Sequence, residues 1–146
     1  MTVVAFHVPG TPEPWRRARS HGAMRFTDPR SRAYTGHVQV AWRRAGATRL
    51  PDGPVRLTIT AVFTRPPGHH LRDGTLSAAG RRAVLPAPRI DVDNIAKAVM
   101  DALNGHAWRD DRWVVHLTAR KQWSTPWRGV GVHVHATTDR RLEART

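Results

Sequence analysis

A chain of 146 residues with a formal net charge of +13 and no cysteine excludes a disulfide scaffold and a thiolate metal site, and it is long enough to bury a core as one domain, residues 1–146, without either. No basic-then-apolar leader opens it and no apolar run nears the ~18 residues of a membrane span, so it reads as a soluble cytoplasmic protein. The charge points to a polyanionic partner, with nucleic acid ahead of a membrane surface because no basic amphipathic helix stands out.

Thr2 to Val8 alternates Val4, Phe6 and Val8 with Val3, Ala5 and His7, which predicts a first strand covered at least partly on both faces. Pro9-Gly10-Thr11-Pro12-Glu13-Pro14 stops it, since proline cannot donate to a sheet ladder and restricts its predecessor. That loop delivers Trp15-Arg16-Arg17-Ala18-Arg19, a basic cluster suited to phosphate, or else a solvated loop in an arginine-rich chain. Asp28-Pro29-Arg30-Ser31 starts a helix whose stripe is Tyr34, Val38, Ala41, Trp42 and Ala45 and whose stop is Gly46. Val55, Leu57, Ile59, Ala61 and Phe63 alternate with mostly polar residues, as in a strand with one face in the core. From Arg65 to Arg89 no period persists, so residues 65–90 are expected to be a mobile basic loop; its adjacent His69 and His70 point apart more readily than they converge on an ion.

The acids are concentrated in one place. Five of the eleven, Asp91, Asp93, Asp101, Asp110 and Asp111, lie within twenty-one residues. Asp91 or Asp93 caps a helix that buries Ile95, Val99, Ala102 and Leu103 and ends at Asn104-Gly105. Asp93, Lys97 and Asp101 share a face of it at i, i+4, i+8, and Asp91 is near enough to reach the same point. A strand follows with Trp113, Val115, Leu117 and Ala119 on one parity. Asp111 continues that parity and so faces the helix start, whereas Asp110 faces away. Three carboxylates from two segments suit Mg²⁺ or Mn²⁺ and make a poor zinc site. The chain has twenty-two arginines and only two lysines, Lys97 and Lys121, both in or just after this window, where a compact point charge is wanted. Taken singly, each of these residues also fits a capped helix with an ordinary ion pair. A last strand turns Val130, Val132, Val134 and Ala136 one way and His133 and His135 the other, on an exposed polar face. A charged tail from 139 is expected to fray.

These elements predict an α/β domain of two layers, a mixed or mainly antiparallel sheet with two main helices on one face. The run Asp91-Val92-Asp93-Asn94-Ile95-Ala96-Lys97, with Asp101-Ala102-Leu103-Asn104, Trp108, Asp110-Asp111 and Lys121, resembles the signature of the RusA-type Holliday junction resolvases. The proline-rich start ending in Arg16, Arg17 and Arg19 and the loop from His69 to Arg89 extend the resemblance over most of the chain. It implies a homodimer that cuts four-way DNA junctions with Mg²⁺, or Mn²⁺ in its place, during recombination and repair, near the nucleoid or phage DNA. It further implies Asp91, Asp93 and Asp111 as metal ligands, Lys97 in the active site, and Arg16, Arg17, Arg19, Arg89 and Lys121 on DNA. The chain departs from the family in carrying Arg89-Ile90 where many members have lysine-proline, and in the short spacer with His106 before Asp110. A nuclease for other branched DNA, or a non-catalytic basic DNA-binding module, would share the same residues.

Overall fold

The computed structural model describes residues 1–87 and 90–138 and, at Arg19, the backbone alone; the expected DNA contact of Arg89 and the frayed tail lie outside the described residues. Strand β1 (Thr2–Pro9) leads through the proline loop to a small hairpin, β2 (Arg19–His21) and β3 (Met24–Phe26). Helix α1 (Pro29–Arg44) starts where Asp28 accepts a hydrogen bond from the Arg30 N–H, with Pro29 in the first turn, and gives way at Ala45 and Gly46, whose φ is +65°. Strand β4 (Val55–Phe63), a short helix α2 (Ala78–Arg82), helix α3 (Val92–Leu103), and strands β5 (Val114–Trp123) and β6 (Gly131–Thr138) complete the chain.

The four long strands form one mixed sheet in the order β1-β6-β4-β5, parallel only between β4 and β5. That one parallel pair follows from the crossover: the chain leaves β4, passes through α3 against the sheet, and returns beside β4 as β5. Helices α1 and α3 both pack on one face, as the two-layer reading expects, and pack on each other. The core lies between. Val4, Phe6 and Val8 meet Leu57, Ile59 and Ala61, Val132, Val134 and Ala136, and the Ile95, Val99 and Leu103 stripe of α3. Each fully buried aliphatic side chain contributes on the order of 1.5–3 kcal/mol relative to exposure.

Three local readings change. Strand β1 is covered on one face only: Val4, Phe6 and Val8 are buried while Val3, Ala5 and His7 are exposed, because both helices sit on the same side. Strand β5 does not keep one parity, because a register shift between Val55 and Arg56 leaves Val115 without a partner on β4. Val114 packs against the core and Val115 is 63 % exposed, so the alternation that placed Asp111 does not reach it. Finally, the stretch after Arg65 holds a 3₁₀ turn (Pro67–His69) and α2. Arg65 donates to the carbonyls of Gly80 (3.0 Å) and Ala83 (3.2 Å), and Trp123 Nε1 donates to Ala83 (2.8 Å).

One glycine is required by the ladder itself. Gly131, paired with Pro9 at the start of β6, has φ +136°, and a Cβ there would stand 2.2 Å from the Val8 carbonyl oxygen. Gly131→Ala is therefore expected to cost about 2–3 kcal/mol, read as a lower urea midpoint with unchanged m.

Candidate active site

The start of α3 is where separate segments meet. The proline loop is tied to it through Trp15, whose N–H donates to the Asn94 carbonyl at 2.9 Å, and to α1 through Arg16, whose N–H donates to Ser31 Oγ at 3.0 Å. From the sheet, Lys121 Nζ donates to the Ile90 carbonyl at 3.0 Å, one residue before Asp91. Asp91 occupies the N-cap position, its carbonyl accepting from the Ile95 N–H at 3.2 Å, but its carboxylate makes no capping bond and, among the described residues, no other hydrogen bond or ion pair. Asp93, in the first turn, accepts only from the neighbouring Asn94 N–H at 2.9 Å. Both carboxylates are exposed, at the helix end whose free N–H groups favour negative charge.

A second carboxylate group lies further along the same helix. Lys97 pairs with Asp101 at 3.0 Å. Asp111 belongs to neither strand nor α3 but to a 3₁₀ turn (Asp111–Trp113) whose cap is Asp110. Its Oδ1 accepts from Trp108 Nε1 at 2.7 Å. Partial burial pushes the Asp111 carboxyl above its ordinary range and the charges of Asp101 and Asp110 add to this, while the Trp108 hydrogen bond and Lys97 act against it. Asp110 behaves oppositely: bonded to the Arg112 side chain and N–H, it is held below the usual carboxylate range.

The structure thus brings together Lys97, Asp101, Asp111 and Trp108, with Asp91 and Asp93 at the helix start. Asp93 and Asp101 are eight residues apart on one helix, about 12 Å of rise, and Lys97 falls midway, its Nζ 5.1 Å from the centre of the Trp15 ring. As an exposed pair, Lys97 and Asp101 contribute at most about 1 kcal/mol; the importance of Lys97 is where it stands. Among the described residues no three His, Asp or Glu side chains already converge as ligands. The donor set nevertheless fits a hard cation, since it is all carboxylate, solvent-accessible and partly uncommitted, and Mg²⁺ takes one or two carboxylates with water and substrate phosphate instead of a full protein cage.

Of the expected DNA contacts, Arg17 is exposed and Arg16 is half-buried, with Glu13 3.4 Å from its guanidinium. Lys121 is engaged with the Ile90 carbonyl, one residue before Asp91. Two contacts went unread in the sequence, although both residues were singled out there: Trp15 as the ring facing Lys97, and Trp108, 1 % exposed, as the donor to Asp111. Asp101 was on the right helix face, and its i, i+4 spacing from Lys97 was the available signal.

The family model described as "Endodeoxyribonuclease RusA" matches residues 8–135. A Bacillus subtilis (strain 168) protein described as "Uncharacterized protein YqaN" is 27 % identical over 128 residues, which cover 85 % of this chain and 90 % of that protein. The family match spans nearly the whole fold, including both carboxylate groups and the segments that meet at α3.

The chain belongs to the RusA endodeoxyribonuclease family, and membership indicates endonuclease activity on branched DNA, of the Holliday junction resolvase type.

Proposed function

We propose that the chain is a metal-dependent endodeoxyribonuclease that resolves four-way DNA junctions by paired hydrolysis of phosphodiester bonds, in DNA recombination and repair in the cytoplasm. The supporting observation is the placement of Lys97 between the Asp91/Asp93 and Asp101/Asp111 carboxylates, one of them held by a buried tryptophan. Asp91, Asp93 and Asp111 are the proposed ligands for Mg²⁺, with Mn²⁺ able to substitute. When bound, the cation supplies an activated water and neutralises charge that accumulates on the phosphate.

The protein's own groups do the rest. Lys97 presents a compact positive charge to the non-bridging phosphate oxygens, with Trp15 and Asp101 limiting where its ammonium can go. Arg16, Arg17, Arg19, Arg89 and Lys121 are proposed to hold the DNA arms through phosphates, a grip that is strongly salt-dependent and weak in sequence discrimination. Residues 65–90 are proposed as a loop that moves onto the DNA. Two opposed strands must be cut in a junction of approximate two-fold symmetry, which a homodimer satisfies with two copies of one site.

The test is cleavage of a labelled synthetic four-way junction beside a fork and a linear duplex, in Mg²⁺ and in EDTA, with Asp93→Asn as control. Paired nicks in opposite strands, lost in EDTA and in Asp93→Asn, are expected. A fork cut equally well would replace the junction reading with a general branched-DNA nuclease. Binding without cutting in Mg²⁺ and Mn²⁺ would leave a basic DNA-binding module whose aspartates only start a helix.

A further inference from the structure

The sheet face turned away from both helices is built from residues that the carboxylate site does not use. Across the four strands its side chains stand in rows: His7, His133, Thr60 and Arg120; Ala5, His135, Thr58 and Thr118; Val3, Thr137, Arg56 and His116. No aspartate or glutamate occurs in any of the four strands. The described acids lie in the loops, at helix starts and on α3, so apart from Val3 and Ala5 at its edge this face carries positive and neutral polar groups. Arg128, from the connection between β5 and β6, joins Arg120, Thr58 and Thr60 around an open groove of about 640 Å³.

The charge there is fixed by arginine. The rings of His7 and His133 stack with centroids 4.3 Å apart, and the Nε2 of each lies 3.0 Å from a backbone carbonyl oxygen, of Val130 and Gly129 respectively. Burial, with His7 and Arg128 alongside, pushes the His133 pKa down against the hydrogen bond to Gly129, and the stacked rings form the floor on which the arginines stand. Arg56, Arg120 and Arg128 are exposed, and among the described residues their side chains have neither an ion pair nor a hydrogen bond. Arg56 and Thr60 are four residues apart on β4, about 13 Å, so the basic rows run for roughly four base-pair steps of a duplex. Beside Arg128, Trp127 is 90 % exposed. A free aromatic next to a guanidinium is the composition of a nucleic-acid platform.

We infer that this open sheet face is a second DNA-contact surface, on the opposite side of the sheet from the carboxylates, which takes the phosphodiester backbone of a junction arm on Arg56, Arg120 and Arg128. Free guanidinium groups on an acid-free floor are donors without acceptors of their own, and phosphate oxygens supply the acceptors. An acidic protein partner is the weaker fit, since the groove is lined mainly by arginine, histidine and threonine and not by the aromatic and aliphatic pocket a central anchor needs. The inference rests on the chain's action on DNA and not on the proposed metal ligands.

Equilibrium binding of the full chain to a labelled four-way junction, in EDTA so that nothing is cut, tests it across a salt series. Arg120→Gln with Arg128→Gln is expected to reduce the slope of log K against log salt by about two, one per lost phosphate contact. Arg43→Gln with Arg49→Gln, the same charge change on and just beyond α1, should leave the slope unchanged. A slope equal to wild type in the first pair overturns the inference, and so does an equal fall in both pairs, which would mean a diffuse charge effect. Sedimentation of each variant closes the remaining route: loss of a dimer in Arg120→Gln/Arg128→Gln, with the slope per protomer intact, would make the face an interface between copies and overturn the inference. Since no cutting is read, failure of the metal-ligand assignment would leave these outcomes unchanged.

Discussion

Asp111→Asn is expected to reduce junction cleavage by on the order of 10²–10³ while leaving junction binding as tight as wild type or tighter, and the metal-free fold at neutral pH at least as stable. The three outcomes have one cause. Asp111 is partly buried, and desolvation together with Asp101 and Asp110 penalises its charge. Asparagine keeps an oxygen for Trp108 Nε1, so the 2.7 Å hydrogen bond survives while the charge goes. Losing one of the proposed metal-holding carboxylates removes several kcal/mol of transition-state charge stabilisation, which is the stated fall in rate. Binding gains because, on the proposed site, one negative charge facing phosphate has been removed.

The sign of the pH dependence follows from the raised pKa. A carboxyl that holds its proton more tightly folded than unfolded destabilises the fold when ionised, and that penalty disappears as pH falls through the folded pKa. The advantage of Asp111→Asn in EDTA should therefore be full at neutral pH and shrink in the acid range just above the ordinary carboxylate pKa. Urea midpoints at pH 7 and pH 4 measure it. Cleavage within a few-fold of wild type would remove Asp111 from the site, whatever the stability data showed.

Sequence carried the scaffold of this site further than its contacts. The two helices were legible because each has a local stop and start and one stripe: Asp28-Pro29 with Tyr34, Val38 and Ala41, and Asp91 with Ile95, Val99 and Leu103. Strand β4 was legible for the same reason. The order β1-β6-β4-β5 was not, since it is decided by pairings between strands more than fifty residues apart. The position of Asp111 illustrates the difference. Extending the β5 alternation backwards set it towards the start of α3, but the bulge at Val115 and the 3₁₀ turn capped by Asp110 interrupt that period. Asp111 instead interacts with Asp101 and Lys97 and takes a hydrogen bond from a tryptophan three residues earlier. A turn of three residues leaves no periodic trace, and Trp108, though part of the family signature, carries no sequence signal of which group its N–H meets.

Trp108 gives the second large effect, and it separates positioning from packing. At 1 % exposed, it is one of the largest side chains in the core, and Trp108→Ala should cost about 3–5 kcal/mol, enough to threaten the fold by itself. Trp108→Phe keeps most of the apolar contact but has no N–H, so Asp111 loses a hydrogen bond of about 1.5–3 kcal/mol to its charged form. The carboxylate would then be free to turn towards Lys97, whose charge already acts on it, and away from its proposed place beside the phosphate. At a temperature where Trp108→Phe is fully folded by circular dichroism, single-turnover cleavage at saturating junction should fall at least tenfold, while the junction Kd measured in EDTA stays the same. A purely structural tryptophan predicts something different: once the variant is folded and saturated, its cleavage rate would equal wild type. That result would leave Asp111 to be held by its turn alone, with Trp108 only the floor beneath it.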